Sequence, residues 1–150
     1  AKIRFHREPK TYSELGFEGL EGTKISLSDF KGKFTILNFW ALWCAPCVEE
    51  MPALDKLKGK LHNKNFEVIA VATGRNSKDK INNFYKEKNL KFLGQYFDPT
   101  SELARKFKIK GLPTTIIINR EGEEVGRVEG VIDWNSSDSE KLFLEWLKVS

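Results

Sequence analysis

The sequence predicts one α/β domain, a mixed β-sheet flanked by helices, with a β-hairpin extension at its N-terminal end and an insert in its middle. Three observations carry that prediction. Phe34–Trp40 is an almost unbroken apolar and β-branched run, as expected of a strand buried on both faces. From about Ala45 to His62, apolar residues (Val48, Met51, Leu54, Leu57, Leu61) recur every third or fourth position, which marks a helix with one face on a sheet. A second buried run, Phe66–Ala72, comes at once after it and closes a β-α-β unit, while two further strands and a helix end the chain.

The elements run in order. Residues 1–12 are polar without a clean period and read as a loosely attached arm. Phe17–Leu27 holds two short strand-like pieces around Gly19 and Glu21-Gly22, a hairpin pattern. Ser28–Gly32 reads as one capped helical turn. Pro46 suits a first helical turn, where its missing N–H would be unpaired anyway. Pro52, inside the helix, is expected to kink it. Ser77 caps a helix with Ile81, Phe84 and Tyr85 on one face, and Phe92–Phe97 is extended. Thr100 and Ser101 cap a helix carrying Leu103, Ala104 and Phe107. Thr114–Asn119 and Glu123–Glu129 form a hairpin around Arg120-Glu121-Gly122. A last helix, about Ser137–Leu147, buries Leu142, Phe143, Trp146 and Leu147.

The 150 residues suit one domain, residues 1–150, with no linker or internal repeat. Apolar residues make up 40% and charged residues 31%, which excludes a disordered or collagen-like chain. No run approaches the roughly 18 apolar residues that span a bilayer. Residues 76–110 carry nine Lys/Arg against four Asp/Glu, so the net +4 of the chain is concentrated there. Arginine forks and loop aromatics are not clustered, so no nucleic-acid partner is expected. The sequence begins at Ala1 without a leader, which leaves room for a signal peptide or membrane anchor upstream.

Cys44 and Cys47 are the only cysteines, two residues apart, and His6 and His62 are remote from them. A zinc site needs four ligands, so no metal and no cofactor are expected. Val48 comes after Cys47, which excludes a C-x-x-C-H haem site. The pair sits where a buried strand ends and a helix begins. A thiolate at a helix N-terminus is stabilised by the helix dipole, which makes Cys44 the attacking group in thiol–disulfide exchange. Cys47, one turn on, can resolve a mixed disulfide. Pro46 stiffens the turn and Trp43 can cover the pair.

Two motifs, Phe39-Trp40-Ala41-Leu42-Trp43-Cys44-Ala45-Pro46-Cys47 and Gly111-Leu112-Pro113-Thr114, resemble the thioredoxin superfamily. The resemblance implies a thioredoxin-like fold with a cis bond before Pro113, this proline facing the cysteines, and the Leu112 backbone pairing with an extended client. Trp40 and Trp43 would pack around that groove. Ser26–Lys33 and Glu49-Glu50-Met51-Pro52 are similar to the TlpA/ResA branch, and Met51–Asp55 and Val131-Ile132-Asp133-Trp134 are most similar to TlpA-like members. In thioredoxins an Asp stands at the position of Asn38, where it aids proton transfer; Glu50, three residues after Cys47, is expected to take that role with a raised pKa. An acidic residue often comes after the cis-proline in cytochrome-maturing members, and here Thr114 stands there.

The branch implies a monomeric, periplasmic reductase held at the inner membrane by a segment upstream of Ala1. Its implied clients are disulfides of cytochrome oxidase copper-site assembly factors or of apocytochrome c, and its implied electron donor is a membrane protein of DsbD/CcdA type. The alternatives are a general thioredoxin-type reductase, a Cu(I) carrier and a peroxidase. Peroxiredoxins require a Thr three residues before their reactive Cys, where Ala41 stands, and Sco-type copper proteins add a distant histidine.

Overall fold

A computed structural model describes residues 2–61 and 65–149. Its eight strands are β1 (Arg4–Lys10), β2 (Gly16–Glu18), β3 (Lys24–Ser26), β4 (Phe34–Trp40), β5 (Phe66–Thr73), β6 (Tyr96–Asp98), β7 (Thr114–Ile118) and β8 (Glu124–Glu129). They form one mixed sheet in the order β1-β8-β7-β4-β5-β6-β2-β3. The helices are α1 (Ala45–Leu61), α2 (Lys78–Glu87), α3 (Glu102–Lys106) and α4 (Ser137–Val149). This is the expected fold class, with β4 and β5 parallel and β4 and β7 antiparallel at its centre.

Strand parity sorts the core into two layers. Phe34, Ile36 and Trp40 of β4, with Val68, Ala70 and Ala72 of β5, pack under α1, α2 and α4. Leu37, Phe39, Ile69 and Val71 face the other way, toward α3 and the β2–β3 hairpin. Asn38 shares the parity of Ile36 and Trp40, so a polar side chain enters the apolar layer under α1. Full burial of each large side chain in these layers contributes about 1.5–3 kcal/mol relative to leaving it exposed.

Four expectations are corrected. Residues 1–12 are not a loose arm: β1 pairs antiparallel with β8, Arg4 opposite Arg127 and Phe5 opposite Gly126. A Cβ on Gly126 would lie 2.9 Å from the Arg4 carbonyl oxygen, so only glycine admits the approach. The turn read at Ser28–Gly32 is a 3-10 turn over Leu27–Phe30, capped by Ser26, with the Asp29 carboxylate accepting from the Ser26 N–H. Neither Thr100 nor Ser101 caps α3 through its side chain. Ser101 lies in the left-handed region, and the Asp98 carboxylate instead accepts from the Leu103 and Ala104 N–H groups at 3.0 and 3.1 Å. In α4, Phe143 is fully buried while Leu142 and Trp146 are only partly so; the Leu147 side chain and His62 lie outside the described residues. The helix α1 continues through Pro52.

Candidate active site

The strand β4 delivers the cysteines. After Trp40 the chain turns, and the Cys44 N–H donates to the Ala41 carbonyl at 3.1 Å. The Cys44 carbonyl accepts the first bond of α1, from the Val48 N–H at 3.0 Å, so Cys44 stands at the helix N-terminus. The Leu42 N–H donates to Asn76 Oδ1 at 3.0 Å, and the Asn76 amide donates to Thr73 O and Gly74 O. This side-chain clasp from the loop after β5 holds the turn, and no local signal in the sequence marks it.

Cys44 and Cys47 are joined in a disulfide with Cα atoms 5.3 Å apart. Cys47 is 1% exposed and Cys44 6%, while Ala45 and Pro46 between them face solvent. Cys44 is thus the slightly more accessible of two buried cysteines. Trp43 is 72% exposed and offers an aromatic face beside them.

Leu112–Pro113 is a cis peptide bond. Because Phe39 pairs with Thr114 across the β4–β7 ladder, this loop and the cysteine turn leave the sheet at the same edge. Thr114 Oγ1 donates to the Gly111 carbonyl at 2.6 Å and the Gly130 N–H to Pro113 O at 2.9 Å, which fixes the loop from both sides. A cavity of about 280 Å³ opens there, lined by Gly111, Leu112, Pro113, Glu129 and Gly130 among others. Trp40, expected around the groove, is 1% exposed and packs on Phe84 and Tyr85, so it supports the cysteine turn from inside. Its even parity with Ile36 places it there.

One turn along α1 from Cys47, Glu50 is 3% exposed. Its Oε2 accepts from the Trp134 indole N–H at 2.7 Å and the Ile132 N–H at 3.3 Å; its Oε1 accepts from Asn38 Nδ2 at 3.2 Å. Asn38 Nδ2 also donates to Thr115 Oγ1, directly opposite on β7, at 3.0 Å. Burial pushes the Glu50 pKa above its ordinary value, and the three donors only partly offset this. The result is a buried titratable carboxyl in the apolar layer, one helical turn along α1 from Cys47. Trp134 and Thr115 are the partners that sequence reasoning missed.

Residues 11–123 match the AhpC/TSA family. The chain belongs to that family. It is 38% identical over 111 residues to the thiol-disulfide oxidoreductase ResA of Bacillus thuringiensis subsp. konkukian, covering 74% of this chain and 63% of that one. Against ResA of Bacillus subtilis it is 36% identical over 115 residues, 77% of this chain and 63% of that one. The match thus spans less than two thirds of the length of these relatives. The crystal structure of a thiol:disulfide interchange protein DsbE from Chlorobium tepidum superposes with a TM-score of 0.80 at 27% identity, covering 93% of this chain and 97% of that one. The exposed lipoprotein thioredoxin Etrx1 of Streptococcus pneumoniae gives 0.73 at 27% identity, covering 92% and 100%. The fold is thioredoxin-like.

Proposed function

We propose that this chain is a protein thiol–disulfide oxidoreductase that reduces client disulfides on the outer side of a membrane. The observation that carries this reading is the cysteine pair at the start of α1, with its second sulfur buried and a buried carboxyl one turn further on. In the dithiol form, the Cys44 thiolate, stabilised by the helix N-terminus, attacks one sulfur of the client disulfide. The client S–S bond breaks, a client thiolate leaves, and Cys44 is held in a mixed disulfide. Cys47 then attacks the Cys44 sulfur and releases the second client thiolate. Two electrons have passed to the client, and the protein is left as the Cys44–Cys47 disulfide.

The Cys47 thiol must lose its proton to attack. In this reading Glu50 takes it, and its raised pKa brings it nearer the range in which a carboxyl can both accept and return a proton. Leu112 and Pro113 shape the client groove and Trp43 borders it. A membrane dithiol donor of DsbD/CcdA type would restore the reduced pair. The clients in this reading are copper-site factors of cytochrome oxidase or apocytochrome c, and the protein acts as a monomer. Relatives named ResA and DsbE support the reading, and the description of Etrx1 as an exposed lipoprotein supports the extracytoplasmic side and an anchored chain.

The equilibrium potential of the Cys44–Cys47 pair tests the direction of electron flow. A value at or below about −220 mV is expected of a reductase; one near about −120 mV marks a DsbA-type oxidant and overturns it. Cys44→Ser is expected to abolish turnover and Cys47→Ser to accumulate the mixed disulfide.

A further inference from the structure

Beyond the cis-proline cavity lies a second, larger one of about 860 Å³, between β1, β8 and the segment after α3. Lys110 and Glu129 line both, so the two cavities adjoin along one face. The charges along it are not balanced. Arg4 is paired with Glu129, and Arg127 with Glu124 at 2.8 Å. Lys10, Lys108 and Lys110 are exposed and, among the described residues, have no carboxylate partner. Tyr12 and Phe107, their rings 4.5 Å apart, lie in the same wall.

Lys108 is placed by the backbone. It comes after α3 in the left-handed region, φ +55°, a conformation that favours glycine or asparagine, and its N–H donates to the Arg105 carbonyl at 3.0 Å. Ile109 N–H closes the same turn on Ala104 O at 2.9 Å. A rigid turn therefore carries a lysine at a position whose geometry does not call for one.

We propose that this groove is a docking surface for an acidic segment of the client polypeptide, adjacent to the cysteine that enters the Leu112–Pro113 loop. The proposal rests on the reductase reading and adds the class of client: one whose reacting cysteine is flanked by Asp or Glu. Three unpaired ammonium groups in one concave surface attract such a segment at long range and fix its register once it is seated, while its backbone reaches the cysteine pair through the shared Lys110 end.

Two disulfide-bearing peptides, identical except that three aspartates beside the cysteine become asparagines, decide the matter with the full chain. At low salt the reduced protein should act on the aspartate peptide with a kcat/KM about tenfold higher, and the difference should fall within twofold at 0.5 M salt. The double variant Lys10→Gln/Lys108→Asn, with Asn suited to the left-handed position, should remove most of the preference. It should leave the rates on the asparagine peptide and on neutral hydroxyethyl disulfide unchanged. Equal rates on the two peptides, or a preference that survives the double variant, overturns the proposal. Should the wild type fail on hydroxyethyl disulfide as well, the reductase reading is what fails. Docking is then decided by fluorescence anisotropy of the labelled peptides on the oxidised protein: salt-sensitive preference for aspartate upholds it and equal binding sinks it.

Discussion

Glu50 and Glu124 are the same side chain at nearly the same burial, 3% and 0% exposed, yet they are pushed in opposite directions. Burial raises both, but at Glu124 the opposing partners win: Arg127 bonds both carboxylate oxygens at 2.8 Å, Tyr12 donates at 2.6 Å, and a His6 ring nitrogen lies at 2.5 Å. Its pKa ends below the ordinary value, and Tyr12, desolvated and facing that carboxylate, is pushed up to about 12. Glu50 has three hydrogen-bond donors too, but all are neutral, and burial wins. Neutral donors alone do not bring the pKa of a buried carboxyl below its ordinary value; a guanidinium does. The arrangement around Glu124 fastens an edge strand to the sheet, His6 of β1 on Glu124 of β8. That around Glu50 leaves a group that can change protonation state one helical turn from Cys47.

The comparison breaks most visibly at Arg127. Arg127→Met leaves Glu124 buried without its cation, and a loss of about 3–5 kcal/mol in urea unfolding at pH 7 is expected. The pH dependence sharpens it. In the wild type, Glu124 has a lowered folded pKa, so its contribution is present above the unfolded value and is lost as pH falls through the folded one. In the variant the carboxyl becomes another Glu50, and the deficit should shrink on acidification. A deficit that stays constant down to pH 4 would show that packing, not charge, holds β1.

Glu50→Gln tests the other side. It keeps the shape and removes the titration, so resolution by Cys47 should slow about a hundredfold and its pH–rate profile should lose the limb that Glu50 supplies. Stopped-flow decay of a preformed mixed disulfide at Cys44 reads this directly; an unchanged profile removes Glu50 from the mechanism. Because Glu50 is raised rather than lowered, the stability sign is also reversed. Its ionisation opposes folding as pH rises from the unfolded value through the folded one, a slope that Glu50→Gln should abolish.

These two carboxyls also mark what could be read from the sequence. The cysteine pair, Pro113 and the strands β4, β5 and β7 are legible because their signals are local: a spacing, a dipeptide, an apolar run. Glu50 is legible through its spacing from Cys47 and through the family resemblance. Glu124 is not, because its partners Tyr12 and His6 lie 112 and 118 residues away, and a polar N-terminal stretch carries no period that announces an edge strand. Trp134 stands out in the sequence only as part of a motif; its bond to Glu50 spans 84 residues. Trp40 is the instructive miss. Its parity with Ile36 puts it in the buried layer, and nearness to the cysteines in sequence is a weaker guide than strand geometry.

Trp134 allows a finer test of the Glu50 balance. Trp134→Phe keeps an aromatic ring to pack on Phe143, 5.7 Å from the indole and nearly parallel to it, while removing the shortest of the three bonds to the carboxyl. A loss of about 2 kcal/mol is expected where Glu50 is ionised, within the range for a hydrogen bond to a charged group plus some lost ring area. The bond favours the ionised form, so its removal raises the Glu50 pKa further. The deficit should therefore be full above the folded pKa and smaller near pH 4, where Glu50 is mostly protonated whether the chain is folded or not. The rate profile for Cys47 should move to higher pH by the same shift. If stability falls by the same amount at every pH and the rate profile does not move, Trp134 is only a packing residue. The smallest effect belongs to Tyr12→Phe, about 1 kcal/mol in the same unfolding measurement. It removes one neutral donor from a carboxylate that still has Arg127, so Glu124 should stay ionised at neutral pH while the acid limb moves to somewhat higher pH. The same kind of loss, one neutral donor from one buried carboxyl, should thus raise both pKa values: further from the ordinary value at Glu50 and back toward it at Glu124.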